Sequence, residues 1–475
     1  MVLDGLDDDT TPQEDIERLA KLYLLKLSQV ISSPRIYLSA NLRVEVCSWW
    51  HNVVMCTPSL WSTIVADTTL WPETSSDVRL GLVSAALNRS DSHSLRVEVA
   101  AVNTPDGIAV LELLSRHSSR WKTLNLWNGI PSVQAISSAK GNLPLLESAI
   151  ISIRNNEWSD SIGVFGDAPL LTALTFTGWV AQLPLVPWDQ LRQLRFINAV
   201  PGELAESLSL LSRFSTEVTC CLDLIVDDTF PLELPHLSSR IQDLTLKFEL
   251  YGEEPIANDL IGSVLKSLTL PHLSSLSLRG DATKSPEPLV WNQAAFIPFA
   301  LRSGLRDTLL RLNIDAHCAA RDLLQCLVHL PLLQELVLVE SDGVSSDLII
   351  SDELFVAFAR VSESDQIIVP RLRFVALSSN LHFSDARFWS FVENRIWFIL
   401  RDDALFDPDL MSFEVILHWR PSCVRLLTVE FHEHAAALLD SWAGKGFQDD
   451  FGTRQRMMVW QSLSLLCIEH NWCRG

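Results

Sequence analysis

No block of basic residues offsets the acidity of this chain: 37 Lys+Arg stand against 58 Asp+Glu, a formal charge of −21 over 475 residues. A surface so negative repels phosphate backbones and anionic bilayers, which argues against generic nucleic-acid or membrane-surface binding. No apolar run of about 18 residues occurs, so no spanning helix is expected. The opening text, MVLDGLDDDTTPQED, lacks a basic segment followed by an apolar one and does not read as a secretory signal. Catalytic signatures are missing too. There is no phosphate-cradling G-x-x-x-x-G-K-[ST], no G-x-S-x-G elbow and no H-E-x-x-H. His432 and His434 are two residues apart and would point away from each other on a helix, and Cys467, His470 and Cys473 lack a fourth ligand. The expectation is a protein with no metal, no cofactor and no catalytic centre.

What is present reads as folded. Hydrophobic residues make up 48% and charged residues 20%. The length exceeds one compact core and calls for several domains or an elongated repeat array. The nine cysteines are odd in number and sit mostly in apolar runs, which predicts reduced, buried thiols and a cytoplasmic or nuclear setting. The sequon Asn88-Arg89-Ser90 then carries no glycan.

From Gln13 to Val30 an almost wholly apolar helix is expected, broken at Ser32-Ser33-Pro34. In the stretch that follows, Leu42, Val46, Trp49, Trp50, Val53 and Val54 share one face of a second helix. Pro58 ends that helix by restricting Thr57, and Leu60 and Trp61 can fold back onto the same face. Trp50 and Trp61 are expected in the core of a small helical module, since each ring has a large area to bury.

The text VCSWWHNVVMCTPSLWSTI resembles the second half of the F-box of mushroom-type fungal F-box proteins, in which Val-Cys, a tryptophan and Thr-Pro-x-Leu-Trp recur in this order. LVSAALNRSDSHSLRVEV resembles that family's helix, Arg-Ser turn and strand, and LLSRHSSRWKTLNL its His-x-x-Arg-Trp step into a first repeat. LPLLESAIIS, FGDAPLLTALTFTG and VPWDQL continue the likeness, which covers roughly residues 42–200. The Leu-Pro-x-Glu start and the Ile-Phe pair of an F-box do not appear; unrelated text at residues 13–31 stands in their place. The resemblance implies a degenerate F-box that docks on the small adaptor linking F-box proteins to a cullin, through a module of Leu42, Val46, Trp49, Trp50, Val53, Pro58 and Trp61.

A second pattern needs no family. Units of the form apolar-x-x-apolar-x-apolar recur at Trp121/Leu124/Leu126, Leu171/Leu174/Phe176, Leu191/Leu194/Phe196, Ile241/Leu244/Leu246, Leu273/Leu276/Leu278, Leu309/Leu312/Ile314, Leu333/Leu336/Leu338 and Leu372/Val375/Leu377. Several spacings fit one or two leucine-rich repeats of roughly 20–29 residues. The last two apolar positions of each unit alternate as in a strand. No unit can bury its own apolar face, so stacking into an α/β solenoid is expected. The usual asparagine after the strand is mostly missing; Asn380 comes closest.

The fold class expected is α/β: a small N-terminal helical F-box-like module followed by an irregular leucine-rich-repeat solenoid. The divisions are residues 1–66 for the module, 67–120 for a connecting helix and strand, 121–382 for the solenoid and 383–475 for a capping region. The cap should hold helices at DARFWSFVENRIWFIL and EHAAALLDSWAGKGF with a strand, CVRLLTVEF, between them.

The function expected is substrate recognition in an SCF-type E3 ubiquitin ligase, without catalysis by this chain. The alternative is a protein-binding scaffold of the same fold that no longer docks on the adaptor. The residue between the last two apolar positions must point outward, so Asn125, Thr175, Arg195, Thr245, Ser277, Asn313, Val337 and Ala376 should form a target-binding row. Arg195 is the expected charged anchor, because its planar fork can grip a carboxylate. The chain is expected to be a monomer in isolation, partnered by the adaptor and a target protein. No submicromolar binding to duplex DNA is expected in physiological salt, and a fluorescence-anisotropy titration checks this.

Overall fold

A computed structural model describes residues 56–67, 75–100, 105–127, 135–153, 163–198, 200–214, 217–227, 233–250, 259–280, 289–340, 348–359, 368–379, 383–401 and 414–419. The chain is mixed α/β with long runs of parallel strands. Two compact units divide it: Met1–Leu171 with Pro184–Pro187, and Thr172–Leu183 with Trp188–Gly475.

In the first unit, β1 (Thr63–Asp67), β2 (Leu95–Ala100), β3 (Trp121–Trp127) and β4 (Ser148–Ser152) pair in parallel in chain order. Helices α1 (Ser76–Arg89) and α2 (Pro105–Ser115) form the first two crossovers that parallel pairing requires. Alternation along each strand decides the core. Ile64, Val97, Leu124 and Ala149 are in register and buried, and so are Ala66, Val99, Leu126 and Ile151 two residues on.

The corners of this unit are tied by side chains from the Arg-Ser and His-x-x-Arg-Trp texts. The Arg120 guanidinium donates to Ser90 Oγ at 2.6 Å and to the His93 carbonyl at 2.9 Å. Ser90 Oγ in turn donates to the Leu87 carbonyl at the end of α1. Trp121, next in the motif, is wholly buried. Asn142 repeats the device by donating to Ser118 Oγ.

In the second unit, β5 (Ala173–Gly178), β6 (Gln193–Asn198), β7 (Thr219–Val226), β9 (Asp243–Leu250), β11 (Ser275–Gly280), β12 (Arg311–Asp315), β13 (Glu335–Val339), β14 (Phe374–Ser379) and β15 (Glu414–Trp419) pair in parallel, each with its successor. A separate pair, β8 (Leu237–Ser238) and β10 (Leu268–Thr269), lies outside this ladder. The crossovers begin as short turns of 3-10 helix and become helical farther on: α3 (Leu204–Ser209), α4 (Leu260–Ser267), α5 (Gln293–Arg302), α6 (Ala320–Leu327) and α7 (Asp352–Ala359), with α8 (Asp385–Arg401) before the last strand. Consecutive helices from α4 to α8 pack on one another.

All 24 apolar positions of the eight repeat units are buried, none more than 3% exposed. Rows such as Leu174, Leu194, Cys220, Leu244, Leu276, Leu312, Leu336 and Val375 line one side of the second unit's ladder. Phe176 and Phe196 stack in the next row, with ring centroids 6.1 Å apart.

Polar groups knit the helices to their neighbours. Arg302 of α5 donates to the Leu265 carbonyl at 2.6 Å and to the Leu268 carbonyl at 2.7 Å, satisfying the open end of α4. Asn292 caps α5 by accepting from the Ala295 N–H and also bonds Asp259, which precedes α4. Gly262 leaves room for these two side chains, which a Cβ there would force to shift.

At α7 and α8 the core is aromatic, with Phe355 against Phe383, Phe388 and Phe391. Arg395 of α8 is buried among these elements. Its guanidinium lies 5.5 Å from the Phe358 ring centre and donates to the Val369 carbonyl at 2.9 Å and the Ile368 carbonyl at 2.6 Å. Burial pushes its pKa down to about 10, which still leaves it charged at neutral pH. Val369 has a φ of +48°, an unfavourable conformation for a β-branched residue, and Arg395 grips it at that point.

The structure differs from the sequence reading at several places. Pro58 begins a 3-10 helix, Pro58–Trp61, with no buried residue, and Trp61 is half-buried rather than core. Leu42, Val46, Trp49, Trp50 and Val53 lie outside the described residues, as do the proposed strand CVRLLTVEF and the helix after it. β1 begins at Thr63, so the ladder starts within the stretch read as the N-terminal module. The stretch read as one connecting helix and strand contains α1, β2 and α2. The helix expected at DARFWSFVENRIWFIL is α8, and β15 continues the ladder beyond residue 382.

Truncating Leu276 to alanine should cost about 2–5 kcal/mol. Arg395→Met should cost about 2–4 kcal/mol, by stranding two carbonyls beside a strained Val369. Denaturant melts of the full chain check both values.

Candidate interaction surface

The ladder leaves every second residue on the side away from the apolar rows. In the second unit the middle row of such residues runs Thr175, Arg195, Cys221, Thr245, Ser277, Asn313, Val337 and Ala376, each in register with the next. Seven of the eight residues read from the sequence as a target-binding row are therefore aligned. Asn125 lies in the first unit, in register between Glu98 and Ile150. Cys221 belongs to the row and was missed. Its strand breaks the apolar-x-x-apolar-x-apolar pattern: Cys220 occupies a leucine slot, and the preceding apolar residue is Val218.

The row is not uniformly open. Ser277 and Ala376 are each only 7% exposed, so they form its floor rather than its contact points. Arg279 donates from Nε to Ser277 Oγ at 3.1 Å. Thr175, Cys221, Thr245, Asn313 and Val337 are half-buried, and Arg195 is exposed. Asn313 Oδ1 is buried without a hydrogen-bond partner among the described residues.

Arg195 is engaged. Its Nη2 sits 2.8 Å from Asp223 Oδ2, and this bond raises the guanidinium pKa. The anchor expected from sequence thus spends part of its fork on a carboxylate in the next row, Thr177, Ile197, Asp223, Lys247, Arg279, Asp315, Val339 and Ser378. On the other flank Arg311 pairs with Asp243 at 3.0 Å, and Thr219 donates to the same carboxylate. These are exposed or partly exposed pairs, each contributing about 0–1 kcal/mol; their larger effect is to keep the face near neutrality.

Four thiols, those of Cys220, Cys221, Cys318 and Cys326, stay protonated. Burial, with Asp223 nearby, pushes Cys221 up to about 11, and burial pushes Cys326 up to about 12. Cys220 and Cys318 move in the same direction for the same cause. A thiol held this way is a poor nucleophile and a poor metal ligand at neutral pH. No group of three or more metal-binding side chains occurs among the described residues. No helix among them is long and apolar enough to cross a membrane.

In the first unit the Arg89 guanidinium lies 4.5 Å from the Trp61 ring centre, joining the Thr-Pro-x-Leu-Trp and Arg-Ser texts. No protein-family model matches the chain, and no curated protein matches it significantly.

Among the cysteines of the described residues, exposed Cys56 should label first with iodoacetamide at neutral pH. Cys221 should follow slowly, and Cys220, Cys318 and Cys326 only on unfolding; peptide mass spectrometry checks the order.

Proposed function

We propose that this chain is a non-catalytic recognition subunit of an SCF-type E3 ubiquitin ligase, built as an irregular leucine-rich-repeat solenoid that holds a target protein on its strand face. The observation that carries the reading is the in-register row from Thr175 to Ala376, weakly charged in a chain of net charge −21. A face that only solvated the protein would share the acidic excess, whereas a face neutralised by its own ion pairs does not repel a protein partner. The adaptor would dock on the F-box-like text around Trp49 and Trp50, and the array would raise the target's effective concentration beside the enzyme that transfers ubiquitin.

The second reading, a scaffold that does not dock, draws on the missing Leu-Pro-x-Glu start. Copurification separates the two. The full chain should retain the purified adaptor, and a Trp49→Ala/Trp50→Ala variant should lose it; no retention by either favours the scaffold.

The strand face is tested by a photocrosslinking residue. Placed at Thr175 or Thr245, it should capture target proteins that the same residue at Leu301 on α5 does not. Capture from Leu301 alone would move recognition to the helices.

A further inference from the structure

Primary amines are scarce in this chain. Of its 37 basic residues 29 are arginine and eight are lysine, with no lysine between Lys26 and Lys122 or between Lys284 and Lys445. Arginine supplies charge without supplying a nucleophile, because its guanidinium stays protonated in proteins. Lysine gives up its proton far more readily and is the side chain that acyl-transfer enzymes modify. A chain of this composition offers few acceptors to an enzyme transferring ubiquitin beside it.

Four of the eight lysines lie among the described residues, and three of them are engaged. Lys122 Nζ sits 3.4 Å from Glu147 Oε1, and Lys266 Nζ sits 2.7 Å from Asp259 Oδ2. Lys247 is half-buried in β9 and has a partner of its own. Lys140 differs. It is exposed, and among the described residues nothing pairs with its ammonium.

Lys140 stands in the crossover from β3 to β4, on a turn that its neighbours fix. Its backbone N–H donates to the Ser137 carbonyl at 3.1 Å, and the Asn142 N–H donates to the Ala139 carbonyl at 2.9 Å. Gly141 between them takes a φ of +73°. The amine lies near Gly163, where a Cβ would stand 3.9 Å from Nζ; no side chain rises from that residue to cover it. Ile136 and Ala139, just before Lys140, are buried in the core, so the turn belongs to the side of the apolar rows and not to the outward strand face.

We infer that Lys140 is a ubiquitin acceptor, the place at which this chain is itself modified in the assembled ligase; this rests on the chain being a ligase recognition subunit. The co-reactant is ubiquitin held as a thioester on a cysteine of the conjugating enzyme. The Lys140 ammonium first loses a proton to water. Its nitrogen lone pair then attacks the thioester carbonyl. The C–N bond of an amide forms as the C–S bond breaks, and a second amine proton ends on the departing thiol. An amine paired with a carboxylate must leave that pair before it can attack. A surface pair worth up to about 1 kcal/mol slows this by up to about fivefold.

The test reconstitutes the full chain with the adaptor, the cullin complex, the activating and conjugating enzymes, ubiquitin and ATP, and maps attachment by peptide mass spectrometry. Ubiquitin should appear on Lys140. Lys140→Arg should lower total attachment several-fold without moving the melting temperature. The Trp49→Ala/Trp50→Ala variant should leave Lys140 unmodified. A separate arm reads the amine without the ligase: brief treatment with an acetyl N-hydroxysuccinimide ester should acetylate Lys140 about fivefold faster than Lys122 or Lys266.

Ubiquitin on other lysines with none on Lys140 overturns the site and leaves the ligase reading standing. Attachment at Lys140 that persists in the double tryptophan variant also overturns it, since docking would not then deliver the amine. Acetylation of Lys122 or Lys266 ahead of Lys140 removes the accessibility on which the site depends. If no lysine is modified while the chain still retains the adaptor, the site falls and docking remains. If the adaptor is not retained either, the wider reading falls with it.

Discussion

Parallel register is the constraint on which everything else depends. Each strand pairs residue for residue with the next, so a leucine on one faces a leucine, phenylalanine or cysteine on its neighbour. Burial of these rows is the main favourable term, and at about 25 cal/mol per Å² a buried leucine contributes roughly 1.5–3 kcal/mol. The same register that aligns the interior aligns the exterior. The surface row needs no contacts of its own to be straight, because the buried row fixes it.

What could be read from the chain followed from this. A leucine every second or third residue is a strong signal, and the units carrying it emerge with all three apolar positions buried. Strands with weaker signals escaped. In β4 the middle position is Ala149, in β7 it is Cys220, and β15 lies in text that read as a cap. Each is recruited by the neighbour it pairs with rather than by its own apolar content, a tertiary effect invisible to local pattern.

The outward row was legible in position but not in state. Alternation alone put Arg195 on the outward row. Its engagement by Asp223 could not be anticipated, because the aspartate is 28 residues away in a strand that had not been recognised. The burial of Ser277 and Ala376 had the same origin: small side chains sink among longer neighbours whose identity depends on register. The Arg-Ser and His-x-x-Arg-Trp texts, read as a turn and a step into the first repeat, meet at a corner, where Arg120 bridges to Ser90.

The strict alternation also determines which length changes in the gene such a protein can accommodate. Deleting one codon between Leu276 and Leu278 would exchange inside for outside along the rest of β11, driving Arg279 toward the leucine rows. Two adjacent codons removed within β11 would keep the faces but shift the register against both neighbours. The crossovers carry no such parity: they range from short 3-10 turns to the helix α8 while the strand order stays unchanged. Length variation in descendants of this sequence should therefore collect in the crossovers, leaving the spacing within strands intact.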